Sequence, residues 1–96
     1  PYCFIENRRT VGLPSVETPD EKTLYLNQVP GIRTPDFRLE DVVPRCTAKA
    51  VEFITRPRSR PFFLYLPLTS PHLPVVPNQR FRGTSAAGLF GDFVQE

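Results

Sequence analysis

The residue best suited to chemistry is the single histidine, His72, which ends the run Pro61-Phe62-Phe63-Leu64-Tyr65-Leu66-Pro67-Leu68-Thr69-Ser70-Pro71-His72. Imidazole is the side chain whose ordinary titration falls nearest neutral pH, so a positioned histidine can hand a proton or hydrogen bond to a departing oxygen. Ser70 stands two residues before it and invites a Ser-His nucleophile reading. That chemistry also needs an acid to orient the imidazole and donors for the oxyanion, and the sequence identifies neither. Ser70 is therefore not assigned as a nucleophile. A lone histidine after an apolar run also has a structural reading, as a loop residue, and these residues alone leave both open.

Other reactive groups are sparse. Cys3 and Cys46 form no Cys-x-x-Cys pair, and one histidine far from both gives no zinc spacing. They read as ordinary buried thiols, with a disulfide between them left open. Asp92 sits where a helix starts, and the helix dipole alone favours an acid in a first turn, so it reads as structural. Arg56, Arg58 and Arg60, with Arg80 and Arg82, lie near Phe62 and Phe81 and raise a competing class, a noncatalytic arginine-rich module for nucleic acid. No nucleic-acid motif accompanies them and the net charge is only +2, so they read as solvated loop charges and no nucleic-acid partner is expected. Arg80 or Arg82 at the rim of an anionic-substrate pocket is a further option.

These groups must be held by a chain of 96 residues with twelve prolines, 40% hydrophobic content and eight phenylalanines. Such composition argues for proline-shaped ordered loops rather than a disordered tract. Residues 1–11 read as a strand and a polar turn, and 12–38 as a long irregular loop carrying Pro14, Pro19, Pro30 and Pro35. Leu39, Val42, Val43, Cys46, Ala50, Phe53 and Ile54 recur at three- and four-residue steps and predict an amphipathic helix over 39–56, with Asp41 as N-cap and Pro44 in the first turn. Residues 61–68, apolar without alternation, predict a buried strand, as in a parallel sheet covered on both sides. In such sheets ligands bind past the carboxyl ends of the strands, which is where His72 falls. Residues 69–88 form the loop beyond it and 89–96 the start of a helix.

The expected fold is thus α/β, with a mostly parallel sheet between helices. These elements do not close a sheet, the chain opens at Pro1 without a start methionine or leader, and 91–96 stop inside a helix start, so the chain reads as a piece of a larger domain. No stretch approaches the roughly 18 apolar residues of a membrane span.

The strand ending in Pro71-His72, followed by Pro77, Phe81, Gly83 and Phe90-Gly91-Asp92-Phe93, resembles the sulfatase family, arylsulfatase-like enzymes of the alkaline-phosphatase-like superfamily. Leu39-Glu40-Asp41-Val42-Val43-Pro44 with Lys49-Ala50-Val51-Glu52-Phe53-Ile54 is similar to the helix before that strand, and Pro1-Tyr2 with Glu6-Asn7 to the segment upstream. Residues 14–35 are only loosely similar.

The resemblance implies sulfate-ester hydrolysis by the full-length parent, with calcium and a formylglycine made from cysteine or serine within Cys/Ser-x-Pro-x-Arg. It also implies a sulfated small molecule or glycan as substrate, and a periplasmic or secreted location. Neither Cys3-Phe4-Ile5-Glu6-Asn7 nor Cys46-Thr47-Ala48-Lys49-Ala50 has the nucleophile pattern, and the family's metal-binding acids and substrate-contacting lysines find no match. What carries over is His72, as the catalytic and substrate-binding histidine that contacts the sulfate ester. Alone, the chain is expected to be inactive. A phospho- or phosphonate-ester hydrolase on the same scaffold is the alternative, distinguished by a threonine or serine nucleophile.

Overall fold

The computed structural model describes residues 2–96. Asn7, with a left-handed φ of 58°, turns the chain between β1 (Ile5–Glu6) and β2 (Arg9–Thr10), an antiparallel pair. Asparagine tolerates that conformation better than most residues, which is why the turn falls there.

The long excursion that follows is a hairpin. β3 (Val16–Thr18) pairs antiparallel with β6 (Gly31–Arg33), and β4 (Glu21–Lys22) with β5 (Asn27–Gln28). Both ladders keep one register, Thr18 opposite Gly31 and Glu21 opposite Gln28, which sets Pro19 opposite Pro30. Neither proline can donate to a ladder, so the hairpin breaks where they face each other. Tyr2 mends the break from the side: its hydroxyl donates to the Val29 carbonyl at 2.8 Å and accepts from the Val29 N–H at 3.0 Å. Its backbone docks on β6, donating to Ile32 O and accepting from Thr34 N–H. At the tip, the Thr23 hydroxyl accepts from the N–H groups of Tyr25 and Leu26, and Thr23 N–H donates to Leu26 O.

A 3₁₀ turn, Leu39–Asp41, leads into α1 (Val42–Thr55). Asp41 holds the N-cap position but its side chain makes no capping bond, and Pro44 falls in the first turn, where a missing N–H costs no helical bond. Of the apolar stripe, Val43 and Ala50 are buried, Leu39, Val42, Cys46 and Phe53 half-buried, and Ile54 exposed. Arg56-Pro57 ends the helix, since the residue before proline is pushed to extended backbone, here φ −62° and ψ 129°. Arg58 then folds back, donating to the carbonyls of Phe53 and Arg56 while its guanidinium lies over the rings of Phe53 and Phe62 at 4.0 and 4.5 Å. A second 3₁₀ turn, Gln79–Phe81, precedes α2 (Gly88–Gln95).

The expected parallel sheet between helices does not form. Among the described residues the three ladders are two-stranded and antiparallel, and the one parallel contact is the isolated bridge between Tyr2 and Arg33. Residues 61–68 pair with no strand and are not buried: Phe63 is 87% exposed and Tyr65 76%. The run is long and apolar enough for a covered strand, but a strand needs neighbours to satisfy its N–H and C=O groups. Among the described residues every strand is only two or three residues long, too short to template a strand of eight, and none pairs with 61–68.

The core is correspondingly small. Val43 of α1, Val75, and Phe93 of α2 cluster with half-buried Leu89. A radius of gyration of 15.5 Å exceeds the roughly 12–13 Å of a compact domain this size, so the chain is an open arrangement around one junction.

Candidate functional site

His72 lies in a turn, its N–H donating to Thr69 O at 3.2 Å. Its imidazole Nδ1 is 2.8 Å from the Leu73 carbonyl oxygen, and because a carbonyl only accepts, that nitrogen is the one that carries hydrogen in the bond. Nε2 is left without a protein partner among the described residues. The residue is exposed and borders an open cleft of about 660 Å³ whose other walls include Phe4, Phe37, Leu39, Val42 and Phe93. Thr69 reaches the same cleft, whereas Ser70 does not line it.

The backbone holding His72 is pinned downstream by a strap, residues 75–85. Val75 is buried and its N–H donates to Tyr25 O at 2.7 Å, tying the strap to the hairpin tip. Asn78 donates from Nδ2 to the Glu40 carbonyl at 3.2 Å and from its backbone to the Glu96 carboxylate at 3.0 Å. Arg82 donates to Pro77 O at 3.1 Å and to the Glu40 carboxylate at 3.0 Å. Glu40 thus fastens the strap to the start of α1. Arg82, offered by the sequence as a possible substrate contact, is already engaged, and Arg80 lies over the Phe81 ring at 4.7 Å.

Gly91-Asp92-Phe93 closes the strap through three different physical effects. A Cβ on Gly91 would stand 2.2 Å from Ser85 Oγ and 2.7 Å from Ala87 Cβ, so only glycine lets the loop pass so close. Asp92 is buried, its two carboxylate oxygens accepting from the N–H groups of Gly83 and Ser85, each at 2.8 Å. Those bonds, Gly83 first, hold its carboxyl below the usual range against the opposing effect of burial. Phe93 supplies the core ring. Asp92 is the fifth residue of α2 rather than a first-turn acid, so its structural role comes from clasping a loop and not from the helix dipole. Gly83, with φ 76°, adopts the left-handed conformation that turns its N–H toward the clasp.

Cys3 and Cys46 are half-buried free thiols that border the same cleft. On the outer side of α1, the Lys49 ammonium pairs with Glu6 at 3.1 Å and Glu52 at 3.4 Å, which raises its pKa, chiefly through the Glu6 hydrogen bond. Glu52, bonded to Arg56 and Lys49, is lowered. Arg56 and Arg58 are thus occupied by Glu52 and by aromatic rings, and only Arg60 of that trio has no partner among the described residues. No group of three or more His, Cys, Asp or Glu among the described residues is placed to hold a metal ion. The described residues therefore do not fit a calcium site. No helix of the described residues is long and apolar enough to cross a membrane.

Sequence reasoning singled out His72 and Asp92, and Leu24, Tyr25 and Leu26 as packing anchors of the long loop, but gave no role to Asn78 and none beyond the family resemblance to Glu40 or Tyr2. Asn78 had a local signal, a capping residue after proline ahead of a short helical turn, where its side chain accepts from Arg80 N–H. Glu40 had none, since its partners Asn78 and Arg82 lie 38 and 42 residues away.

Comparison with known proteins finds the sequence of this chain similar to sulfatases. The whole chain aligns with human N-acetylgalactosamine-6-sulfatase at 45% identity over 101 residues, covering 19% of that protein. It aligns over its whole length with the dog protein of the same name at 32% identity, again 19% of the relative. A Bacteroides thetaiotaomicron N-acetylgalactosamine-6-O-sulfatase is 42% identical over 55 residues, 57% of this chain and 11% of that protein. The chain therefore spans about a fifth or less of these relatives. No family model matches it, and no solved structure matches it.

Proposed function

The chain belongs to the sulfatase family, and from that premise we propose that it supplies the substrate-contacting histidine of a sulfuric-ester hydrolase, His72, together with the scaffold that holds it. The observation that carries this reading is that His72 lines the cleft with its Nε2 unbonded among the described residues, within a chain alignable from end to end with two N-acetylgalactosamine-6-sulfatases.

Cleaving a sulfate ester leaves negative charge on the departing alcohol oxygen. An imidazolium keeps Nδ1–H on Leu73 O and offers Nε2–H to that oxygen, stabilising the charge or transferring the proton as the S–O bond breaks. The nucleophile is assigned to neither cysteine, since neither stands in Cys-x-Pro-x-Arg. Calcium and formylglycine belong to the family reading and enter through residues other than these. The names of the relatives point to a sulfated sugar, 6-sulfated N-acetylgalactosamine, as the first substrate to try.

The test is turnover of that sugar sulfate and of an aryl sulfate by the full-length parent enzyme and its His72→Ala variant. Loss of general acid assistance should lower kcat by about 10²–10⁴-fold. A folded His72→Ala enzyme with unchanged kcat would refute the assignment, and a parent inactive on every sulfate ester but active on phosphate esters would move the reading to the phosphoesterase alternative.

A further inference from the structure

The hairpin of residues 16–33 is the part of the chain that resembles known sequence patterns least, yet it touches the strap next to His72. Three links connect its tip to the imidazole. The Thr23 hydroxyl gathers the N–H groups of Tyr25 and Leu26, fixing the turn. That turn aims the Tyr25 carbonyl at Val75 N–H, 2.7 Å away. Val75 is 3% exposed and clustered with Val43 and Phe93, so this bond anchors a residue that cannot drift. Two residues before it, the Leu73 carbonyl receives the His72 Nδ1–H at 2.8 Å. Pro74, between Leu73 and Val75, has a fixed φ and few conformations through which the intervening backbone could relax.

We propose that the hairpin tip is a positioning element for His72: by anchoring Val75 it aims the Leu73 carbonyl, which holds the imidazole in the Nδ1–H form and leaves Nε2 as the unbonded nitrogen of a side chain that lines the cleft. Thr23 and Tyr25 act through this backbone chain and touch no substrate. The bond a histidine makes with one nitrogen decides which nitrogen is left to do chemistry, so a backbone carbonyl in this place selects the reacting atom. The tautomer is a property of the chain itself, whereas its catalytic meaning rests on the sulfatase reading of His72.

The experiment is ¹⁵N NMR of the 96-residue chain at a pH where histidine is neutral, reading the tautomer from the long-range couplings of the two ring nitrogens. Nδ1 should be the protonated, pyrrole-like nitrogen and Nε2 the pyridine-like one. Thr23→Val keeps the shape of the side chain but removes the acceptor, and should bring the two ring resonances closer together as the tautomers mix. Thr23→Ser keeps the hydroxyl and should leave them as in the unaltered chain. Hydrogen exchange gives a reading without any substitution: the Val75 amide should exchange far more slowly than those of exposed Phe63 and Tyr65. An Nε2–H tautomer in the unaltered chain, a tautomer unmoved by Thr23→Val, or a Val75 amide that exchanges as fast as Phe63 would each overturn the proposal. None of these results depends on turnover, so a failure here is distinct from a failure of the sulfatase assignment.

Discussion

Replacing Phe93 with alanine should remove most of the folding free energy of this chain. Phe93 is 6% exposed and meets Val43 of α1, Val75 of the strap and Leu89 of its own helix, so one ring joins three segments. Truncating a buried phenylalanine to alanine costs about 3–5 kcal/mol in well-packed cores. The lower end applies here, because the ring borders the open cleft and the space it vacates would fill with water rather than stay a sealed void. A loss of about 3 kcal/mol is large against the roughly 0.05–0.15 kcal/mol per residue that domains hold in total. With four buried apolar side chains among the described residues, the chain belongs at the bottom of that range, about 5 kcal/mol. Urea unfolding followed by helix circular dichroism measures the change. With a slope near 1 kcal/mol per molar urea, at the low end for small proteins, the midpoint should fall by about 3 M. Phe93→Leu, which keeps most of the volume, should cost no more than about 1.5 kcal/mol. Equal midpoints for Phe93→Ala and the unaltered chain would refute the argument that this junction holds the fold. A greater loss from Phe63→Ala, where the ring is 87% exposed, would refute it equally.

Three further outcomes follow from the same geometry. Tyr2→Phe removes both hydroxyl bonds to Val29 at the proline break and should cost about 1 kcal/mol, with faster exchange of the Val29 amide as the specific sign. Gly91→Ala drives a methyl group into Ser85 and Ala87 and should destabilise by about 1–3 kcal/mol, partly recovered by adding Ser85→Gly; a neutral Gly91→Ala in thermal melting would contradict the close approach. Asp92 has a folded pKa below its ordinary value, so the stability it contributes is present above the usual carboxylate range and lost as pH falls through the lowered folded value. Asp92→Asn should therefore be less stable than the unaltered chain at neutral pH and approach it in acid, and an offset that stays constant from pH 7 to pH 2 would show that the charge plays no part.

What the sequence revealed depended on whether the signal was local. Apolar residues at three- and four-residue steps from Val42 to Ile54 lie on α1, with Leu39 in the 3₁₀ turn just before it, because that spacing puts them on one face of a helix whatever surrounds it. The hairpin of residues 16–33 was hidden, since its ladder is interrupted by two prolines that face each other and its mending hydroxyl comes from Tyr2, far away in sequence. Residues 61–68 misled for the opposite reason. Their composition suits a covered strand, but pairing is a property of neighbours, and no strand among the described residues pairs with them. His72 was visible as the only imidazole, whereas its tautomer is set by a carbonyl that leaves no trace in side-chain pattern.

Gly91-Asp92-Phe93, one of the motifs that carry the family resemblance, acts here as scaffolding, and this changes how the histidine should be understood. Each of its residues answers a separate demand of the strap: close approach at Gly91, unsatisfied N–H groups at Asp92, a shared ring at Phe93. Glu40 fastens the same strap from the 3₁₀ turn before α1 and Tyr25 from the hairpin, so three elements converge on the segment that follows His72. Among the described residues, His72 is hydrogen-bonded only by main-chain groups, Thr69 O and Leu73 O. A histidine placed this way depends on the path of its backbone more than on the identity of its immediate neighbours. Substitutions beside it that spare the backbone, such as Leu73→Ile, should then be tolerated better than changes at Gly91 or Asp92, many residues away in sequence.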